Sequence, residues 1–474
     1  MTAREPLAGG RRAADRSSWV DSAGVLAVVL VVLAAALALL TGDVEGEVAA
    51  PPGGTTTAVE EVTDVCLPMP GRGRAEVTSF AAPLPDTGNS GTVTATDPSG
   101  SEIGELDTRR GVTQRLDLDR QDARVLTARG AAAVGRVTYR TDRNRGAEAL
   151  ALQECAAPRA RWWFTGAGVT PDHRSELVLA NVDTGPAVVD IEVFGPDGPV
   201  ETVDTRGTTL ASGQVQVVDL ADVAPETAEV AVHVETSRGR VVAAMADTLT
   251  AADGGTGLEW LPPQAEVSRR LRLAPLVGGA DERTLLVTNP SGREALVEVQ
   301  VSGRAGSFAP TEGAQVRVPP GAVVSTDLTD AIGRDASAVT LRSTTRVAAT
   351  LRSSGAGDVS YASAAPVLSG PASAGAPAGV RTALHLSAGA DGARAAVSSY
   401  AADGSEVRSD TLDVDPGATL RWAPGRGAAY VVVTPETGWA YGGLVTPGSG
   451  EATQARLRPL PVELRRPAVV PAVG

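Results

Sequence analysis

"AVVDIEVFGPDG", Ala187 to Gly198, decides how the whole chain reads. Val189, Ile191 and Val193 alternate with Asp190 and Glu192, the two-residue period of a strand with one face buried and the other in water. The Gly-Pro-Asp-Gly end supplies a turn, with Pro fixing φ and Gly accepting positive φ. Ala295 to Gly306, "ALVEVQVSGRAG", lies 108 residues further on and does the same with Val297, Val299 and Val301 against Glu298 and Gln300. The strands before them match too, "LVLAN" at Leu177 to Asn181 against "LLVTN" at Leu285 to Asn289.

With that register set, three landmarks recur in one order through four segments. The turn glycine after the alternating strand is Gly100, Gly198, Gly306 and Gly404. A glycine opening a further strand follows at Gly111, Gly213, Gly321 and Gly417. A late strand begins at Gly135, Gly239, Thr345 and Gly438. Successive copies are spaced 93 to 108 residues apart, and the fourth fits worst. A unit of about 100 residues with turn signals every 8–12 residues predicts an all-β fold of tandem immunoglobulin-like β-sandwiches. The expected sandwiches span 63–157, 158–265, 266–366 and, divergent and incomplete, 381–448. They are expected as beads on a string, because propeller blades repeat at about half this length. Residues 367–380 are Pro-, Gly- and Ala-rich and read as a linker, and 449–474 as an extended tail.

The N-terminus is different. Arg4, Arg11, Arg12 and Arg16 lie in a tail, residues 1–22, before the uninterrupted apolar run Ala23 to Leu40. Eighteen residues at 1.5 Å each reach about 27 Å, close to the bilayer's hydrocarbon thickness. The expectation is a single-pass transmembrane helix, embedded in the lipid bilayer, with the Arg side cytoplasmic and the body extracytoplasmic. A cleavable signal peptide is the rival, with small residues at Ala36 and Ala38, but its apolar core is normally shorter. Residues 41–62 read as a stalk.

Cys66 and Cys155 are the two cysteines of the chain. In an oxidising compartment such a pair reads as one disulfide, tying the ends of the first sandwich together.

Composition removes several chemistries. All 42 Lys-plus-Arg positions are Arg, so a Walker loop and lysine Schiff-base chemistry are excluded. A net charge of −14 argues against nucleic acid as a partner. His173, His233 and His385 lie apart, without metal-ligand spacing, and no GxSxG elbow occurs. Asp117/Asp119 and Asp413/Asp415 mimic a glycosyltransferase metal motif, but alternation sends each pair to one solvated strand face. Accordingly no catalytic residue, metal or cofactor is expected, and the chain reads as a non-enzyme. "LPDTG", Leu84 to Gly88, spells a sortase signal but lacks the apolar span and basic tail behind it, so it reads as a turn.

Trp162 and Trp163 mark the candidate ligand or interface patch, with Arg161 and Trp260. Neighbours on a strand face opposite ways, so one indole enters the core. The other seals the junction between the first and second segments beside Cys155, stacks a sugar with Arg161, or meets a protein.

Beyond these readings, "RWWFTGAG" at Arg161, "SELVLANVDTGPAVVDIEVFGPDGPV" at Ser175, "LEWLPP" at Leu258 and "RTLLVTN" at Arg283 resemble an actinobacterial family, domain of unknown function 5719. The resemblance implies an exported, membrane-anchored cell-envelope protein, encoded near a membrane glycosyltransferase, and carries over no catalytic residues. The expected function is an extracytoplasmic scaffold that holds an envelope protein partner and supports a surface-polysaccharide or cell-wall machine. The alternative is a module that binds cell-wall glycan through exposed Trp.

Overall fold

The computed structural model describes residues 55–466, apart from 71–73, 85–86, 119–121, 145–147, 203–204, 251–253, 334, 336, 356 and 448–451. The expected cytoplasmic tail, membrane helix and most of the stalk lie outside the described residues. Among those residues there is no α-helix, only strands, turns and two 3-10 turns, and no helix is long and apolar enough to cross a membrane. The all-β expectation is correct, and Ala58–Glu463 is one compact unit.

Apart from Thr55–Ala58, which pairs with Glu463–Arg466, the strand pairs among the described residues are antiparallel and local to one of four segments. The first segment has two four-stranded sheets. One runs Glu61–Cys66, Arg124–Gly130, Ser90–Thr96, Glu102–Arg109; the other runs Thr113–Leu118, Arg74–Ala81, Gly135–Asn144, Glu148–Glu154. The second segment has two five-stranded sheets, centred on Ala187–Gly195 with Val230–Arg238 and on His173–Ala180 with Val242–Thr250. In the third, the single strand Ala338–Gly355 crosses from one sheet to the other. Its first half pairs with Ala295–Gly303 and its second with Glu282–Thr288. In the fourth, Ala383–Ala401 and Ala428–Thr446 do the same as a long pair.

The sequence pattern accounts for these strands. Val189, Ile191, Val193, Val297, Val299 and Val301 are all buried, while Glu192, Glu298 and Gln300 face water. The landmark glycines are equally consistent: φ lies between +85° and +124° at Gly100, Gly198, Gly306 and Gly404, and between +65° and +88° at Gly111, Gly213, Gly321 and Gly417. Asn181 and Asn289 do one job twice, each wholly buried. Their side-chain amides donate to Leu210 O and Val318 O, both at 3.0 Å, and their carbonyls accept from Gly213 and Gly321 N–H, both at 2.8 Å.

Two expectations about the organisation are corrected. Ala372–Gly375, placed in the linker, is a buried strand paired with Ala428–Thr446, and Thr453–Arg456, placed in the tail, pairs with the other end of that strand. The fourth segment is therefore not confined to 381–448; its missing edges were hidden in Ala-, Gly- and Pro-rich sequence that local propensity assigns to loops.

The second correction is that the segments are not beads. A Cβ built on Gly213 would lie 3.1 Å from Ser99 Cα, one on Gly321 2.6 Å from Pro199 Cδ, and one on Gly417 2.8 Å from Ser307 Oγ. Each strand-opening glycine thus presses on the turn of the segment before it. The same relation joins the first segment to the fourth, where a Cβ on Gly404 would lie 3.0 Å from the Gly111 carbonyl carbon. Phe80 stacks on Tyr430 at 4.1 Å, the Tyr430 hydroxyl donates to Gly111 O at 2.7 Å, and Thr113 N–H donates to Ala402 O at 2.8 Å. The four segments close into a ring.

Candidate functional site

Closing the ring brings one strand of each segment to its centre. Glu148–Glu154 touches Thr256–Leu261, which touches Asp358–Ser363, which touches Thr453–Arg456, which returns to Glu148–Glu154. Beside them lies a cavity of about 500 Å³ lined by all four segments. That size falls in the usual range of small-molecule sites.

Arg456 joins the segments. From the fourth it donates to Pro263 O at 3.1 Å in the second and to Ser363 Oγ at 2.8 Å and Ala364 O at 3.0 Å in the third. Its other terminal nitrogen lies 3.6 Å from Glu154 Oε2 in the first. Arg458 also faces Glu154, at 3.7 Å, and donates to Cys155 O at 3.1 Å. Burial lowers the Arg456 pKa, with Glu154 opposing and Arg458 adding to that effect. Arg159 is lowered by burial and then by Arg458 and Arg456, so three guanidinium groups crowd one corner, with Asp64 facing Arg159.

Glu259 is the second unusual group. Its Oε1 accepts from Leu152 N–H at 3.0 Å and Trp260 N–H at 2.8 Å. Burial drives its carboxyl well above the usual range, with the nearby Thr453 hydroxyl and the two amides pulling the other way. Its Oε2 completes no hydrogen bond, nor does the Trp260 indole N–H.

A buried polar network beside the cavity joins the second and third segments. Asp247 accepts from Ser175 Oγ and Tyr361 OH and holds His173 Nε2 at 2.9 Å. Ser175 in turn accepts from Gly168 N–H at 2.9 Å. Ser175 bonds the carboxylate instead of the imidazole, so the arrangement is not a nucleophile relay. Arg352 forms a two-pronged pair with Glu229 across the same junction, at 2.9 and 3.2 Å. Among the described residues no three His, Cys, Asp or Glu side chains gather as a metal-holding group.

The disulfide expected between Cys66 and Cys155 is present. The Trp patch, by contrast, does not exist as one surface. Trp162 is 1% exposed, donates from Nε1 to Val241 O at 3.1 Å and has Arg159 over its ring at 5.3 Å. Trp163 is also buried, stacked on His233 at 4.2 Å and Phe194 at 5.6 Å, and it packs on Val323 and Ala348. Its ring therefore seals the junction of the second and third segments, not of the first and second. Arg161 is on the outside, paired with Glu235 at 2.7 Å. Trp162 and Trp260 meet at the cavity, which no exposed-ring reading anticipates. Asp413 is exposed and paired with Arg394 at 2.9 Å, and Asp415 is exposed as alternation requires. Leu84 of the sortase-like stretch is buried with Phe80, Val134 and Tyr430, and the Thr87 hydroxyl donates to Leu84 O at 2.8 Å; Pro85 and Asp86 lie outside the described residues.

Sequence reading missed Glu154, Arg159, Glu259, Tyr361, Gln454, Arg456 and Arg458. The available signal was Glu259 inside "GLEWL", a charge with apolar neighbours on both sides and no alternation to carry it into water.

A model of a family of unknown function (DUF5719) matches residues 112–425. No curated protein matches. Among solved structures, one match is an α-L-rhamnosidase of Streptomyces avermitilis complexed with L-rhamnose, 12% identical, covering 83% of this chain with a TM-score of 0.14. The chain spans 57% of that protein, and a TM-score this low carries no argument.

Proposed function

The chain belongs to the family of unknown function DUF5719, and from that premise we propose that it is a non-enzymatic scaffold of the cell envelope. In this reading the four segments are immunoglobulin-like β-sandwich repeats. Residues 23–40 anchor them to the membrane, with the N-terminus cytoplasmic and the body extracytoplasmic. The ring carries the proposal: four repeats fixed to one another by glycine contacts and by Arg456 make a rigid platform, and rigidity is what a positioning protein requires. The Cys66–Cys155 disulfide supports export. Cross-linking of the full chain in intact cells followed by affinity purification tests it. Recovery of a specific envelope protein is expected, and recovery of cytoplasmic proteins alone would overturn it.

The cavity favours a second reading, a carbohydrate-binding envelope protein. Here the sugar enters the centre of the ring, because Trp162 and Trp163 offer no exposed face to stack on.

A further inference from the structure

We propose that the central cavity binds a small polyhydroxylated molecule carrying one anionic group, a sugar acid or sugar phosphate. Arg159, Arg458 and Arg270 would hold the anion, and Trp260, Gln454 and Glu259 the hydroxyls. This rests on reading the cavity as a carbohydrate site and names its ligand class.

Charge is the first observation. Four arginines line the cavity, Arg159, Arg270, Arg456 and Arg458, against Glu154, Glu259 and Glu266. Burial favours the protonated form of Glu259, and Asp64 faces Arg159 from outside the lining. Cationic charge is left in excess inside a chain of net charge −14, where guanidinium is the group suited to planar oxyanions.

Unsatisfied polar atoms are the second and independent observation. Among the described residues eleven buried side-chain polar atoms lack a hydrogen-bond partner, and five of them belong to residues lining this one cavity. Two, Glu154 Oε2 and Arg456 Nε, belong to the ion pair. The other three are Trp260 Nε1, a donor, Gln454 Oε1, an acceptor, and Glu259 Oε2. Trp260 is 4% exposed and Glu259 3%. Buried polar groups are retained where something pairs with them. Inorganic phosphate near neutral pH brings only one or two hydroxyls on a single small centre, too few and too close together to reach Trp260 Nε1, Gln454 Oε1 and Glu259 Oε2 as well as the arginines; a neutral sugar leaves the arginine excess uncompensated. Hydroxyls both donate and accept, and an anionic sugar meets both demands.

Calorimetry on the full chain with four probes, D-glucuronate, glucose 1-phosphate, glucose and inorganic phosphate, tests the assignment. Saturable binding of glucuronate or glucose 1-phosphate is expected, about tenfold or more tighter than glucose or phosphate, the scale of one charged hydrogen bond. Arg159→Gln should weaken it by a similar factor, and Trp260→Phe, which removes only the N–H and the five-membered ring, should weaken it without unfolding the chain. Arg161→Gln, on the outer surface, should leave it unchanged. Equal binding of glucose would sink the anionic inference and leave the carbohydrate reading standing. Phosphate binding as tightly as either sugar would sink the sugar part, and silence from all four probes would sink both readings.

Discussion

Gly321→Ala measures how tightly the segments press on one another. The added methyl would sit 2.6 Å from Pro199 Cδ and 2.9 Å from its Cγ, in a ring that cannot rotate away, so the third segment must shift off the second. Two costs add. Alanine at φ +71° costs about 1–2 kcal/mol for left-handed backbone alone, and overpacking costs typically about 1–3 kcal/mol more. Gly207→Ala separates them, because Gly207 has φ +67° and nothing within 4 Å of its built Cβ. Guanidinium unfolding of both variants, compared at matched slope, should show Gly207→Ala about 1–2 kcal/mol below the parent and Gly321→Ala about 2–5 kcal/mol below it. Equal losses within about 0.5 kcal/mol, the usual error of additivity, would refute the claim that this glycine is demanded by the neighbouring segment.

The remaining predictions concern the centre and the core. Arg456→Met removes the donor from Pro263 O, Ser363 Oγ and Ala364 O and leaves the partly buried Glu154 with Arg458 alone, and should cost about 3–5 kcal/mol in denaturant unfolding; a loss under about 1 kcal/mol would reduce these contacts to those of a surface pair. His385 is held down to about 4 from 6.5, by burial first and Arg421 next. The unfolded chain therefore takes up this proton first, and stability should fall as pH drops from about 6.5 to about 4, by about 3 kcal/mol in all. His385→Gln should flatten that limb of the pH profile, and an unchanged slope would contradict the assignment. Reducing Cys66–Cys155, which span 89 residues, should lower stability by about 4–5 kcal/mol on loop entropy; unfolding midpoints that coincide with and without reductant would count against it.

The strands, the turns and the repeat were legible in the sequence because their physics is local. Alternating burial at Val189, Ile191 and Val193 needs only a two-residue period, and Gly198 or Gly321 announces a backbone that few other residues adopt. The cysteine pair was legible because the chain holds only two cysteines, so that a disulfide, if one forms within it, can have a single pairing. The glycines were readable, yet half of their meaning was not: Gly213, Gly321 and Gly417 also stand where the preceding segment's turn approaches, and no spacing along the chain encodes a neighbour about a hundred residues away. A junction between the first and second segments was one of three fates open to the second indole of the Trp162–Trp163 pair; Trp163 packs instead between the second and third, because alternation says which face a ring takes and not what lies across it. Only the tertiary structure decided that the first segment meets the fourth. That closure gathers Glu154, Glu259, Tyr361 and Arg456 from four separate stretches into one low-dielectric centre, where burial and not sequence neighbourhood sets their charge and their partners.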